Sequence, residues 1–334
     1  MSTSVYAAMR NSLVVASETQ SGWETSEHLT DKSLECVAVS PDMPERVFCG
    51  TFNDGLWRSN DAGKSWERVG DGAIESDSVM SIDISPHDPD EIWVGTEPSE
   101  VYVSTDGGES WNKRPGIRDL PSESEWYFPP RPETHHVRWI EIDPHNPERV
   151  YVGIELGAFI ISEDAGETWR ERPPGSRRDN HSLATHPREN GRVYSAAGDG
   201  YAESHDGGES WEHPQDGLDH RYCWSVVPDP EDSDTVLMSS ASGPRAAHSR
   251  GESYVYRKMN GEPWKRLDDR GLPTGEGVLR AVLATTGDPG VFYAVNNHGV
   301  FRSSNSGDGW KKLDLEWHDK FKEQTPRGLG VINE

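Results

Sequence analysis

Lysine is scarce in this chain: of 33 basic residues nine are Lys and the other 24 are Arg. The basic residues are themselves outnumbered by 58 Asp and Glu, which leaves a formal net charge of −25. Nucleic acid and anionic membrane are held through a basic face, so this balance argues against either as a partner. Cysteine is rarer still. Cys36, Cys49 and Cys223 form no Cys-x-x-Cys motif, and so odd and small a set is not a disulfide framework. Reduced, buried thiols are expected. No apolar run approaches the ~18 residues of a membrane span. The opening stretch MSTSVYAAMRNSLVVAS has no basic segment followed by a long apolar one. A cytoplasmic location is the expectation. A carboxylate-rich, lysine-poor surface suits high salt, where the Debye length falls to about 3 Å near molar strength and self-repulsion is screened. A halophilic source is therefore expected, with an ordinary acidic cytosolic protein as the alternative.

Turn formers are abundant, with 33 Gly and 23 Pro spread along the whole chain, which argues against a helical fold. A period explains them. Ser59 to Trp66 (SNDAGKSW) returns as Ser104 to Trp111 (STDGGESW), Ser162 to Trp169 (SEDAGETW) and Ser204 to Trp211 (SHDGGESW). A fifth copy, Ser303 to Trp310, carries Asn305 in the Asp place, and worn copies end at Trp264 and Trp23. The seven Trp are 43, 45, 58, 42, 53 and 46 residues apart. Such a period marks a fold built of stacked units.

The motif S-x-D-x-G-x-[ST]-W resembles the Asp box of BNR-repeat propellers: sialidase-type glycosidases, sortilin-like receptors and photosystem II assembly-factor-like proteins. The resemblance covers nearly the whole chain. It implies an all-β, seven-bladed propeller of four-stranded antiparallel blades, with an Asp box between strands C and D of each. Asp61, Asp106, Asp164, Asp206 and Asn305 are structural in this reading. The Asp carboxylates accept backbone N–H groups in a tight turn, the Gly takes positive φ, and the Trp packs between sheets. A residue repeated identically around a ring serves the fold rather than a site.

The expected single domain spans 1–334. Blade one joins 327–334 to 4–30, and blades two to seven occupy 33–70, 78–115, 135–173, 179–215, 220–268 and 277–315. The C-terminal strand is expected to close blade one and so remove the free edges; six blades plus a cap is the alternative. Lid-like loops are expected at 115–134, which carries Trp126, Tyr127 and Phe128, and at 239–253, which carries Arg245, His248 and Arg250.

The A strands line the channel of such a ring. Aligned on the Pro that ends five of them, with Thr286 in its place in blade seven and blade one set by its apolar alternation, they give an apolar layer: Val37, Ile82, Ile140, Leu183, Val226, Val282 and Leu329. One layer nearer the mouth stand Arg327, Glu35, Met80, Arg138, His181, Trp224 and Arg280. Beyond that come Thr325, Ser33, Ser78, His136, Asp179, Tyr222 and Val278. Several Arg near one axis repel unless carboxylates or an anionic ligand pair with them.

Three functions follow from this. In the first, Arg138, Arg280 and Arg327, with Trp224, Trp126 and Tyr127, bind an anionic or sugar-like small molecule. Glu35, Asp179, Tyr222 and His181 would then move protons, as in a glycosidase-like hydrolase or a lyase. Sialidase chemistry itself is not carried over, because the Arg-Ile-Pro segment is absent and no Tyr–Glu pair can be assigned. In the second, the ring is a monomeric assembly scaffold that binds protein. In the third, His135, His136, His181 and His220 hold a transition metal through neutral imidazoles. Polar pocket histidines and internally paired Arg are the plainer alternatives.

Overall fold

A computed structural model describes residues 2–333. Seven antiparallel sheets follow one another around a ring, and almost no helix interrupts them. The strands are short, alternate apolar with polar, and stop at Gly, Pro or Asp, as a meander requires. In blade two strand A is Ser33–Val39, B is Val47–Phe52, C is Leu56–Ser59 and D is Glu67–Val69. The innermost strands of blades three to seven begin at Val79, Val137, Asn180, Tyr222 and Val282.

The ring closes as expected. The C-terminal strand Pro326–Asn333 is strand A of blade one and pairs antiparallel with Thr3–Met9, from Thr3 opposite Asn333 to Met9 opposite Pro326. Glu334, assigned to this strand from sequence, lies outside the described residues. Blade five departs from the pattern. Its fourth strand is reduced to a single bridge between Glu203 and Glu212. Blade six gains a short extra pairing, Gly275–Glu276 against the start of its strand C.

The core lies between blades. Trp111 of blade three packs with Phe48 and Leu56 of blade two, and Trp169 of blade four joins Trp93 and Val101 of blade three. Each Asp box repeats one set of bonds. In blade two Ser59 Oγ donates to Asp61 Oδ1 (2.8 Å) and accepts from Gly63 N (2.8 Å). Ser65 N donates to Oδ1 (2.8 Å) and Ser65 Oγ to Oδ2 (2.6 Å). Gly63 sits at φ 88, where a side chain would be strained. The boxes at Asp106, Asp164 and Asp206 match bond for bond. Ser donors hold the Asp61 and Asp106 carboxyls down to about 2.

Candidate functional site

In an antiparallel blade the start of strand A and the end of strand B lie at the same rim. The B–C and D–A connections therefore gather at the face opposite the Asp boxes. There a cavity of about 430 Å³ opens into the channel. Strand A side chains line its floor, Arg327, Glu35, Met80, Arg138 and Trp224, together with Arg280 two residues before strand A of blade seven. Below it the channel narrows to about 70 Å³ between Val37, Ile82, Ile140, Val282 and Leu329. His136, Glu155, Asp179, Tyr222 and His248 form the wall, and Phe128 to Arg131 lean in from the blade three to four connection.

Cations and carboxylates are unequally matched here. Arg131 forms a fork with Glu97, Nε to Oε1 at 2.6 Å and Nη2 to Oε2 at 2.5 Å. Arg327 Nη1 reaches Glu35 Oε2 at 3.1 Å. Arg138 Nε is 3.9 Å from Glu155, whose Oε2 already meets His136 Nε2 at 3.0 Å. Arg280 has no carboxylate among the described residues. It is 2% exposed, its Nη1 meets only His248 Nδ1, and its Nε and Nη2 have no hydrogen-bond partner. Its guanidinium lies 3.4 Å over the Trp224 ring, with Arg138 at 4.9 Å. Burial, then Arg327 and Arg138, depress its affinity for a proton.

The neutral and ionised groups alternate around this cation. Burial outweighs all else at His248 and His181, lowering them to about 2 and about 4, so both rings are neutral. Burial also opposes the charge on His136, but Glu155 and Glu97 overcome it and raise that ring. Burial likewise opposes ionised Glu155, yet His136, His181 and Arg138 hold its carboxyl well below the usual range. Asp179 is raised to about 7 by burial and by Glu155 beside it.

A family model described as BNR/Asp-box repeat matches residues 102–113, in the blade three box. This chain is a seven-bladed propeller built on BNR/Asp-box repeats. The Asp-box propeller is 23% identical over 218 residues to the oligoxyloglucan-reducing end-specific xyloglucanase of Emericella nidulans, covering 54% of this chain and 27% of that protein. It thus spans about a quarter of that relative's length. Among solved structures it is similar to an ancestral GH74 enzyme, with a TM-score of 0.66 and 16% identity over 84% of this chain and 38% of that one. It is also similar to YCF48 bound to D1 peptide, with a TM-score of 0.60 and 17% identity over 85% and 81%. At these identities the structural likeness is one of fold.

The Asp-box propeller brings Glu35, Arg138, Asp179, Tyr222, Trp224, Arg280 and Arg327 to one cavity, and His181 lies directly behind it, 4.4 Å from Trp224. Trp126 and Tyr127 do not line it. Trp126 is buried in the core between blades three and four, with Nε1 on Ser122 Oγ, while Tyr127 points outward, 45% exposed. Phe128 takes the inward place expected of them. The four histidines are not one set. His135 turns away to Glu123 and the Trp126 ring, since neighbours on an extended segment face opposite ways. His220 stacks on Tyr254 on the outer part of blade six. Tyr222 bonds His248 (2.8 Å) rather than a glutamate. The 239–253 loop is shorter than expected, because strand B runs to Ala241 and strand C starts at Glu252.

Sequence reasoning confined to the A strands missed Glu97, Glu155, Arg131 and the role of His248. A signal for the two glutamates existed. Each stands two residues after the strand B glycine, Gly95-Thr96-Glu97 and Gly153-Ile154-Glu155, where blade two has Phe52. That position returns to the rim where strand A begins.

Proposed function

We propose that the mouth cavity binds a small, sugar-sized molecule bearing a carboxylate, with Arg280 as its main anchor and Arg138 and Arg327 beside it. The observation that carries this is the buried, unpaired Arg280 guanidinium. A buried cation without a counter-charge is costly, and an incoming carboxylate would offset that cost through two parallel charged hydrogen bonds. The cavity volume falls in the range of small-molecule sites. Likeness in fold to a GH74 enzyme and similarity to a xyloglucanase support sugars as the first probes and a hydrolase-like activity as the class to assay, and the Arg280 charge selects acidic ones among them.

Binding is tested by calorimetry and thermal shift with glucuronate, galacturonate and gluconate, and with glucose as the neutral control. Acidic sugars should stabilise the wild type, glucose should not, and Arg280→Gln should abolish the difference. A wild type indifferent to every acid at millimolar concentration sinks the proposal. A short peptide with a free C-terminus, set against its amidated form, separates a metabolite from a protein tail that presents the same carboxylate.

A further inference from the structure

Behind the anion cavity, one imidazole nitrogen and two carboxylate oxygens face one another with no hydrogen bond between them. His181 Nδ1 lies 2.6 Å from the Cys223 carbonyl oxygen. A carbonyl only accepts, so Nδ1 carries the hydrogen, and the other nitrogen of the neutral ring presents its lone pair. That nitrogen, Nε2, is buried and has no hydrogen-bond partner. It points at Asp179 Oδ1, 3.7 Å away, and Glu155 Oε1, 3.9 Å away, both too far for a hydrogen bond. One ligand atom from each of the three residues lies within 4.8 Å of the others. Converging lone pairs in a buried pocket repel unless a positive centre lies among them.

The geometry points to a divalent transition-metal site formed by His181 Nε2, Asp179 and Glu155. The donor set of one imidazole and two carboxylates suits Zn²⁺, Mn²⁺ or Co²⁺. Bonds of roughly 2.0–2.2 Å set the donors of a tetrahedral ion about 3.4 Å apart, so the two His181 pairs, at 3.7 and 3.9 Å, need only a small contraction. The surrounding contacts are those that orient metal ligands. The Cys223 carbonyl fixes the His181 tautomer. His136 Nε2 holds Glu155 Oε2 at 3.0 Å and leaves Oε1 turned to His181. Leu156 N holds Asp179 at 3.2 Å. Gly198 stands where a side chain would strike the Asp179 carboxylate, its added Cβ falling 1.8 Å from Oδ2. Glu155 and Asp179 both face the mouth cavity, so an ion here would keep an open side toward whatever enters. Two of the four histidines named from sequence take part, His181 as a ligand and His136 behind Glu155; the carboxylates replace the rest.

The site stands independently of carboxylate binding, since Arg280 takes no part in it. The test titrates the full chain, first freed of metal by chelator, with MnCl₂ and with ZnCl₂ in high salt, read by calorimetry. The wild type should bind one ion. Asp179→Asn and Glu155→Gln should each weaken it at least tenfold. Glu212→Gln, at an exposed position beside His205 and the buried Glu203, should not. Absence of saturable binding of either ion by the wild type overturns the inference, and so does equal binding by Asp179→Asn. Should both variants fail to fold, spectra of the wild-type histidine rings decide. Substoichiometric Mn²⁺ should broaden His181 and His136 before His220, and uniform broadening overturns the site.

Discussion

The two faces of the ring spend their polar groups differently. On the Asp-box face, Ser, Asp and Ser or Thr donors and acceptors match one for one in four copies, each carboxylate bonded to side chain and backbone. On the mouth face, Arg280 Nε and Nη2, Arg138 Nε, Arg327 Nε and His181 Nε2 are buried without a hydrogen-bond partner. Buried polar groups in folded proteins are nearly always satisfied, so the four intact boxes read as built for the fold, and the unsatisfied groups of the mouth are what the proposed binding rests on.

The sharpest break between the faces should come from Arg280. Arg280→Met removes a buried, uncompensated charge and keeps the length of the side chain. Binding of an acidic sugar should fall by about 100-fold, the loss of a charged hydrogen-bonded pair of about 3 kcal/mol. The melting temperature should hold or rise, because deleting an unpaired buried ion relieves desolvation. A variant that melts well below the wild type would make Arg280 a structural residue and erase the contrast.

The converse belongs to the boxes. Ser104 Oγ is buried, accepts from Asp106 N and Gly108 N, and donates to Asp106 Oδ1. Ser104→Ala strands the Gly108 N–H, and should cost about 1–3 kcal/mol in urea denaturation while leaving ligand binding untouched. A change in ligand affinity without loss of stability would contradict the division of labour.

What could be read from sequence follows the same division. The box is local and repeated, so Trp66, Trp111, Trp169 and Trp211 announce blade spacing before any contact is known. The strand A residues share a two-residue alternation, which is why Arg138, Arg280 and Arg327 could be placed around one mouth. Glu155 keeps a fixed place after the strand B glycine, a column that an alignment of the A strands alone does not contain, and His248 lies in an irregular B–C connection with no period; only the folded ring sets them beside His181 and Arg280. Trp126 was misplaced for the same reason. An aromatic run in an irregular loop does not say which ring turns inward, and core burial decided for Trp126 while Phe128 took the cavity.

Acid should weaken the box face. The Asp61 and Asp106 carboxyls stand at about 2 in the folded chain against an ordinary 3.8. A depressed carboxyl stabilises the fold fully above its unfolded value, and that contribution is lost as pH falls through the folded value. Thermal melts should therefore decline as pH falls from about 4 toward 2. An Asp61→Asn, Asp106→Asn double variant should start lower and show a shallower decline over that interval. Parallel curves for the two proteins would place the acid-sensitive groups elsewhere.

The smallest effect tests whether the worn fifth box can be repaired. Asn305 keeps the Ser303 and Gly309 N contacts at 3.0 and 2.9 Å, but Gly309 offers no hydroxyl for a second oxygen. A Cβ on Gly309 would meet only the Asn305 side chain, at 3.5 and 3.8 Å, an ordinary contact. Asn305→Asp with Gly309→Ser should restore the missing hydroxyl–carboxylate bond. Replacing Gly by Ser also restricts the unfolded chain. Together they should add about 1 kcal/mol to unfolding in urea. The buried Trp310 Nε1, which has no hydrogen-bond partner, stays as it is in this variant. A gain beyond that of Gly309→Ser alone therefore reports the restored bond, and no such gain would mean that the missing hydroxyl was never what separates this copy from the other four.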